Sequence, residues 1–393
     1  MARSRNDRIR RRIGKAIING TLSSAGTITA AGVGTTLHAS FDSSGALLNS
    51  DSAGYADGSL HYLSKLKKMY VWDDSDGQFF ELTGLDSAAA AGTSSYSFQG
   101  SAFGYAAGAQ AGNEFRNTIE KFSLSADANA TDVGDLVQAQ GRSQGCTSSD
   151  HGYVVAAFNP NITFAANSTI QRFPFSTDTN STGVGDLAAA ALRYAGSSNS
   201  KETHGYSVAS SGPPTLISRR DINKFPFASS TSSTDVGDVT VNRERGAGGN
   251  SSTHGYKAGG SGAPISTIID KFPFASDGNA TDVGDLLYSA GANFAGASST
   301  THGYTAGGFP APTGQSINKY SFSTDGNATD VGDLITSANG NSGSSSTTHG
   351  YSAGGGPAVK NTIQKFPFST DANATDIADL TATTGNTAGD IQV

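Results

Sequence analysis

Five histidines occupy equivalent places along this 393-residue chain, His151, His204, His254, His302 and His349, and each is followed by Gly-Tyr. Imidazoles in a ring would be the chemistry of a metal centre. Ligation, however, needs nitrogens within about 2.1 Å of one ion, and equivalent residues of separate repeats stand around an axis instead of converging. The histidines are therefore read as hydrogen-bonding strand residues, which fits Phe103 in the corresponding sixth place. A second pattern, Asp127-Ala-Asn129-Ala-Thr-Asp132-Val-Gly-Asp135, spaces its oxygens somewhat like a calcium loop and recurs around Asp277, Asp325 and Asp371. Ser230 and Ser232 replace the first two oxygens in one copy, Gly183 the third in another, and a bidentate glutamate is missing, so Asx-type turns are favoured over calcium. No Ser/His/Asp set stands apart from the repeat, no GxxxxGK[ST] phosphate loop occurs, and the single cysteine, Cys146, reads as a buried structural thiol. No catalytic, cofactor-binding or metal residues are assigned, and the chain is expected not to be an enzyme.

These residues are positioned by an internal repeat. The Gly-Tyr tyrosines fall at 105, 153, 206, 256, 304 and 351, spaced 48, 53, 50, 48 and 47 residues apart. Each is followed by Ile-x-Lys/Arg-Phe/Tyr-x-Phe/Leu, beginning at Ile119, Ile170, Ile222, Ile269, Ile317 and Ile363. A turn and a second strand-like piece come next, closing on an Asp and an aliphatic residue, first at Asp135-Leu136. Short apolar runs between Gly, Ser, Asn, Asp and Thr clusters make each unit a small sheet. One such sheet cannot bury both faces, and six packed radially can. The predicted fold is all-β: a six-bladed propeller of three- to four-stranded blades. In this setting the 50 glycines, the 15% charged and 36% hydrophobic content, and the 20 Phe and 13 Tyr are material for turns and repeated small cores, not for a helical enzyme.

Both signs of charge recur in every unit. Lys121, Arg172, Lys224, Lys271, Lys319 and Lys365 are expected to pair, within or between blades, with Asp135, Asp186, Asp238, Asp285, Asp333 and Asp379, holding strand register. The position between the Ile and the Lys varies. Variation also marks the candidate binding surface. From the Gly-Tyr tyrosine to the next Ile the distances are 14, 17, 16, 13, 13 and 12 residues, so blades 2 and 3 have the longest connections. Insertions in repeats map to loops on one face, often the binding face. Phe158, Asn161, Phe164, Arg219 and Arg220 are the candidate contacts there for a host-surface glycan or protein. For ring closure, residues 381–393 are expected to pair with the opening strand near 94–103.

The period near 50, with Gly259-Gly260, Gly307-Gly308 and Gly354-Gly355 closing a strand ahead of a Lys-Phe-x-Phe-type strand, resembles kelch repeats; the resemblance covers roughly residues 88–393. Blades 1 to 3 lack the Gly-Gly pair and the usual blade tryptophan is absent. The phrase THGYxAGG…IxKFPFSxDxNATDVGDL is similar to repeats in structural proteins of marine bacteriophages, especially phages of cyanobacteria. That resemblance implies a fibre-like protein of the virion, made in the host cytoplasm.

Before the ring come two segments. Residues 1–20 read as a basic helical arm: Ser4 caps it, Ile9, Ile13 and Ile17 share a face, and Gly20 ends it. Residues 1–16 carry seven Arg and Lys, among them Arg8, Arg10, Arg11, Arg12 and Lys15, against Asp7, giving +6 and leaving −13 on the rest of a chain whose net charge is −7. Such a helix suits docking on an acidic groove of a partner, with an anionic surface or nucleic acid as the other chemistries and a solvated, partly disordered arm as the alternative; sequence-specific reading of nucleic acid is the least favoured. Residues 21–87 form a small β-module in which Ser59–Ser64, Lys68–Trp72 and Gln78–Leu82 make a meander, similar to modules near the N-termini of phage fibre and tail proteins. No apolar run approaches the length of a membrane span, and no signal peptide follows the basic start. The expected function is a non-enzymatic virion protein, oligomeric on the particle, anchored to other virion proteins by its N-terminal region and displaying a propeller (88–393) for host attachment or particle decoration. A cytoplasmic kelch-like scaffold and a propeller lectin or glycosidase are the alternatives.

Overall fold

The computed structural model describes side chains for residues 102–111, 113–155, 158–159, 168–188, 203–211, 218–262, 265–288, 295–308, 314–356 and 360–384, and strand backbone alone for 20–22, 28–30, 60–63, 68–73, 78–81, 197–200, 212 and 217. The chain divides into two compact units, Met1–Ser94 and Ser95–Val393, a boundary slightly beyond the 87/88 expected from sequence. In the first unit Leu60–Leu63, Lys68–Asp73 and Gln78–Glu81 form the expected antiparallel meander, with Val71 opposite Phe80 and Trp72 opposite Phe79. Gly20–Leu22 and Ile28–Ala30 pair as a separate two-stranded ladder. The helical arm, with Arg8, Arg10, Arg11, Arg12 and Lys15, lies outside the described residues.

The second unit is a six-bladed β-propeller. Blade 1 consists of Phe103–Ala111, Glu114–Ser123 and Thr131–Gln140. Blade 2 adds an inner strand, in the order Gln144–Thr147, His151–Val155, Thr169–Pro174 and Thr182–Asp186. Blades 3 to 6 follow the same four-stranded plan. Blade 3 runs through Ser197–Ser200, His204–Val208, Asp221–Pro226 and Thr234–Asp238, and blade 4 through Ala247–Asn250, His254–Gly260, Ser266–Pro273 and Thr281–Asp285. Blade 5 comprises Ala295–Ser298, His302–Ala306, Ser316–Ser321 and Thr329–Asp333, and blade 6 Ser342–Ser345, His349–Ala353, Lys360–Pro367 and Thr375–Thr384. All neighbouring strands are antiparallel, and the inner strands of blades 2 to 6 touch in succession. Those strands are small-residue stretches such as Ala-Gly-Ala-Ser and Ser-Gly-Ser-Ser, because little space is left where blades converge on the axis. Among the described residues there is no α-helix, and no helix is long and apolar enough to cross a membrane.

The core is divided into six seams. Alternation along a strand sends side chains to opposite faces, so each blade offers its Tyr, Ile and Leu to one neighbour and its two aromatics to the other. At the seam between blades 4 and 5, Tyr256, Ile269 and Leu286 pack against Tyr320 and Phe322; between blades 2 and 3, Tyr153, Ile170 and Leu187 pack against Phe225 and Phe227. The ring is closed by the same contact, with Tyr351, Ile363 and Leu380 of blade 6 against Phe122 of blade 1 and Leu124 beside it. The expected closure by a C-terminal strand does not occur within the described residues: Thr384 pairs with Lys360 of its own blade. Blade 6 lengthens its outer strand to ten residues because its third strand begins early, at Lys360, and supplies the backbone partners that blade 1 was expected to give.

Candidate functional site

The repeated Gly-Tyr pair works as a unit. In every blade the glycine lies directly across the ladder from the first aromatic of the Lys-Phe strand, as Gly152 does from Phe173 and Gly255 from Phe272. The ring lies over the glycine, and a Cβ on Gly255 would stand 2.3 Å from Phe272 Cζ. The tyrosine then points to the next blade. Tyr256 stacks on Phe322 at 4.7 Å, Tyr304 on Phe368 at 4.7 Å and Tyr105 on Phe175 at 4.9 Å. In the closing seam Leu124 replaces the second aromatic, and the Tyr351 hydroxyl donates to its carbonyl at 2.9 Å. Burial pushes the hydroxyls of Tyr105, Tyr206 and Tyr256 up to about 12, so they stay neutral donors at ordinary pH.

The charged pairs exist between blades, but with different acids from those expected. Lys121 reaches Asp178 at 3.0 Å, Lys224 Asp277 at 2.8 Å, Lys271 Asp325 at 2.6 Å, Lys319 Asp371 at 2.5 Å, and Lys365 closes the ring on Asp127 at 2.6 Å. The partner is the first acid of the turn in the following blade, not Asp135, Asp186, Asp238, Asp285, Asp333 or Asp379. Register explains the correction. Lys121 lies opposite Thr131 while Asp135 lies opposite Thr118, three residues along the same strand and about 10 Å away. The Asp135 series instead bridges seams through its backbone. Asp135 N–H donates to Asn180 Oδ1 at 3.0 Å and its carbonyl accepts from Ser181 N–H at 2.8 Å. The same N–H cap is made to Asp186 by Ser232, to Asp238 by Asn279, to Asp285 by Asn327, to Asp333 by Asn373 and to Asp379 by Asn129. Three of the carboxylates also have side-chain partners: Asp186 accepts from Ser168 and Thr169, Asp285 from Thr267 at 2.6 Å, and Asp238 lies 3.4 Å from Arg220 Nε. The oxygens that resemble a calcium loop are thus aimed across the seam at a lysine and a peptide N–H. Close approach there also requires glycine: a Cβ on Gly134 would stand 2.7 Å from the Thr179 carbonyl.

The histidines cap turns. Ser251 Oγ accepts from His254 N–H at 3.0 Å while Thr253 Oγ1 lies 2.8 Å from His254 Nδ1, and His302 and His349 repeat the pattern. In blade 2 the ring partner is Asp150, 3.0 Å from His151 Nδ1. Burial, and then the adjacent lysine, hold the pKa of His254, His302 and His349 below the ordinary value, against a smaller opposing effect of the neighbouring aspartate. No group of three or more metal-ligating side chains occurs among the described residues.

Sequence reasoning passed over the residue between Ile and Lys as variable. It is Glu120, Gln171, Asn223, Asp270, Asn318 and Gln364, polar in all six blades and buried in all six. Four of them, Glu120, Gln171, Asp270 and Gln364, clamp the preceding blade just after its Asp-Leu or Asp-Val, whereas Asn223 bonds to Asp221 and Ser233 of its own blade. Gln171 Oε1 accepts from Val137 N–H at 2.7 Å, Gln364 Oε1 from Ile335 N–H at 2.7 Å, and Asp270 from Thr240 N–H at 3.1 Å. Glu120 accepts from the Thr381 N–H and hydroxyl, and its pKa is raised by burial. Uniform polarity at a position on the same strand face as the buried aromatics was the available signal. Blade 4 carries the densest version: Arg243 and Asp270, both fully buried, pair at 2.5 Å, and the guanidinium also donates to the Ile268 and Lys257 carbonyls and to Ser266.

Of the candidate binding residues, Phe158, Arg219 and Arg220 lie at the opposite end of the ring from the lysine–aspartate pairs, among the connections. Phe158 bridges to Gly141, lies edge-on to Phe115 at 5.8 Å and is covered by the Arg142 guanidinium at 4.6 Å. Arg220 is half-exposed against Asp238, and Arg219 N–H donates to the Ser210 carbonyl. Asn161 and Phe164 lie outside the described residues. Among the described non-glycine residues with positive φ, Ala209 falls in the blade 3 connection, while Arg142 and Arg245 fall in the links from blade 1 to 2 and from blade 3 to 4. Comparison with protein-family models and with curated proteins gives no match to this chain.

Proposed function

We propose that the chain is a non-enzymatic structural protein of a bacteriophage particle, held to other particle proteins through residues 1–87 and presenting its propeller for host attachment or particle decoration. The observation that carries a presenting role is the fate of the repeated chemistry. Histidines, lysines, turn aspartates and asparagines are matched to partners within a turn or across a seam, so the chemistry common to the blades serves the ring itself. Recognition then falls to what is not repeated, the blade 2 and blade 3 connections with Phe158, Asn161, Phe164, Arg219 and Arg220. Fold alone does not assign function; the particle setting rests on the resemblance of the repeat phrase to phage structural proteins. Several copies on one particle would raise weak binding at each ring by effective concentration.

Binding of the purified full chain to host cells tests the attachment role, with a Phe158→Ala, Arg219→Ala, Arg220→Ala variant expected to bind at least about tenfold less tightly. Equal binding by that variant removes these connections from the reading. Release of sugar from host-surface glycan would replace it with a glycosidase, and absence of the chain from purified particles by immunogold imaging would replace it with a cytoplasmic scaffold.

A further inference from the structure

The blade 2–3 seam breaks the repeat in one place, and the break has a chemical consequence. In the other five seams a carboxylate oxygen stands 2.5 to 3.0 Å from a lysine ammonium, with the lysine about one-fifth exposed and the aspartate more than half exposed. At this seam the cation is Arg172 and the turn position is Ser230, which carries a hydroxyl in place of that carboxylate. The turn itself has not moved. Ser232 Oγ still accepts from Asp186 N–H at 3.1 Å, and Ser233 N–H still donates to the Asp186 carbonyl at 2.9 Å, as the asparagine and its neighbour do elsewhere. The frame that delivers a carboxylate in five seams is therefore intact and delivers a hydroxyl in the sixth.

Among the described residues Arg172 makes no ion pair. Its guanidinium lies against the Tyr153 hydroxyl. Asp150, on the adjacent turn of blade 2, is engaged by Ser148 Oγ at 2.8 Å and His151 Nδ1 at 3.0 Å, and Asp235 accepts from Gly237 N–H. The exposed turn is a run of hydroxyls, Ser229, Ser230, Thr231 and Ser232. Exchange of lysine for arginine adds the planar fork that takes a carboxylate in two parallel hydrogen bonds.

We propose that the blade 2–3 seam is a binding site for the carboxylate of an acidic saccharide, in which Arg172 receives the carboxylate in the place that Asp178, Asp277, Asp325, Asp371 and Asp127 hold at the other seams. Ser229, Ser230 and Thr231 face the sugar hydroxyls. The site lies at the turn end of the ring, away from Phe158, Arg219 and Arg220, and does not rest on the attachment role.

Titration of the full-length protein with D-glucuronate, followed by NMR and calorimetry, tests it, with D-glucose, sulfate and N-acetylglutamate as parallel probes. The expected result is saturable glucuronate binding near 1 mM, the range of one charge-assisted contact on an open surface, and no saturation by glucose. Arg172→Gln is expected to weaken binding at least about tenfold. Ser230→Asp restores the sixth internal pair, so it is expected to abolish binding while leaving the melting temperature equal or higher; a loss of binding there is not a loss of fold. No saturable binding by the native chain, or unchanged affinity in Ser230→Asp or Arg172→Gln, overturns the site. Equal or tighter binding of sulfate or N-acetylglutamate overturns the saccharide class. Glucuronate binding without adsorption to host cells leaves the site standing and ends the attachment reading, so the two fail separately.

Discussion

Replacing Gly255 by alanine tests the account of the Gly-Tyr pair against the ordinary expectation for a strand. Alanine in place of glycine in a strand interior is normally worth about 0.5 to 1 kcal/mol of added stability, because glycine loses more chain entropy on folding. Here the new Cβ would stand 2.3 Å from Phe272 Cζ and 2.8 Å from both ring Cε atoms, and Phe272 is buried against Tyr206 of the neighbouring blade at 5.5 Å. The ring cannot retreat without opening the seam between blades 3 and 4. Overpacking of this kind costs about 1 to 3 kcal/mol, so after the entropic gain a net loss of about 1 kcal/mol is expected. For a unit of about 300 residues, with an unfolding entropy near 2.1 cal/mol/K per residue, that lowers the melting temperature by about 2 °C. Differential scanning calorimetry reads it, and the pairing is checked by a cycle: Phe272→Leu in the Gly255→Ala background is expected to cost clearly less than Phe272→Leu alone. A Gly255→Ala protein that melts at or above the native temperature would refute the reasoning.

Other perturbations separate the remaining contacts. Asp270→Ala leaves the Arg243 guanidinium buried without its counterion and is expected to cost about 3 to 5 kcal/mol, while Arg243→Met with Asp270→Leu is expected to recover most of it, as read by denaturant midpoints. His254, His302 and His349 have lowered folded-state pKa values, so the unfolded chain binds more protons. Their contribution is complete above the unfolded value near 6.5 and is lost as pH falls through it; the urea midpoint is expected to drop between pH 7.5 and 5.5, and a flat profile in a protein with those three histidines replaced by glutamine checks the source. The Cys146 thiol is fully buried and its pKa is pushed up by burial, so Ellman's reagent is expected to label it only as fast as the ring unfolds.

The number of blades and the order of their strands were legible because both are periodic and local. Six Gly-Tyr pairs announce six hairpins, and strand alternation sends the Ile and the aromatics to opposite faces whatever the neighbours are. Even the long connections of blades 2 and 3 could be counted. Pair partners were not legible in the same way. Asp127 and Asp135 occur in equivalent form in nearly every unit, both within reach of a lysine along the chain, and a sequence lists them without saying which one a neighbouring sheet brings close.

Rotation from one blade to the next decides that question. It places the turn of blade 2 over the lysine of blade 1, Asp178 against Lys121 and Asn180 against the Asp135 N–H, and it places Gln171 under the end of the preceding outer strand. The same rotation gives the substitution at Ser230 its meaning, since a serine in a turn is ordinary until its position is matched to the aspartates that meet a lysine at the other five seams. Sequence by itself determined the repeat, the strands and the apolar faces, because these depend on residues a few positions apart. Tertiary structure alone decided the seams and the pairs across them, because a hydrogen bond between residues about fifty positions apart is set by how two sheets stack.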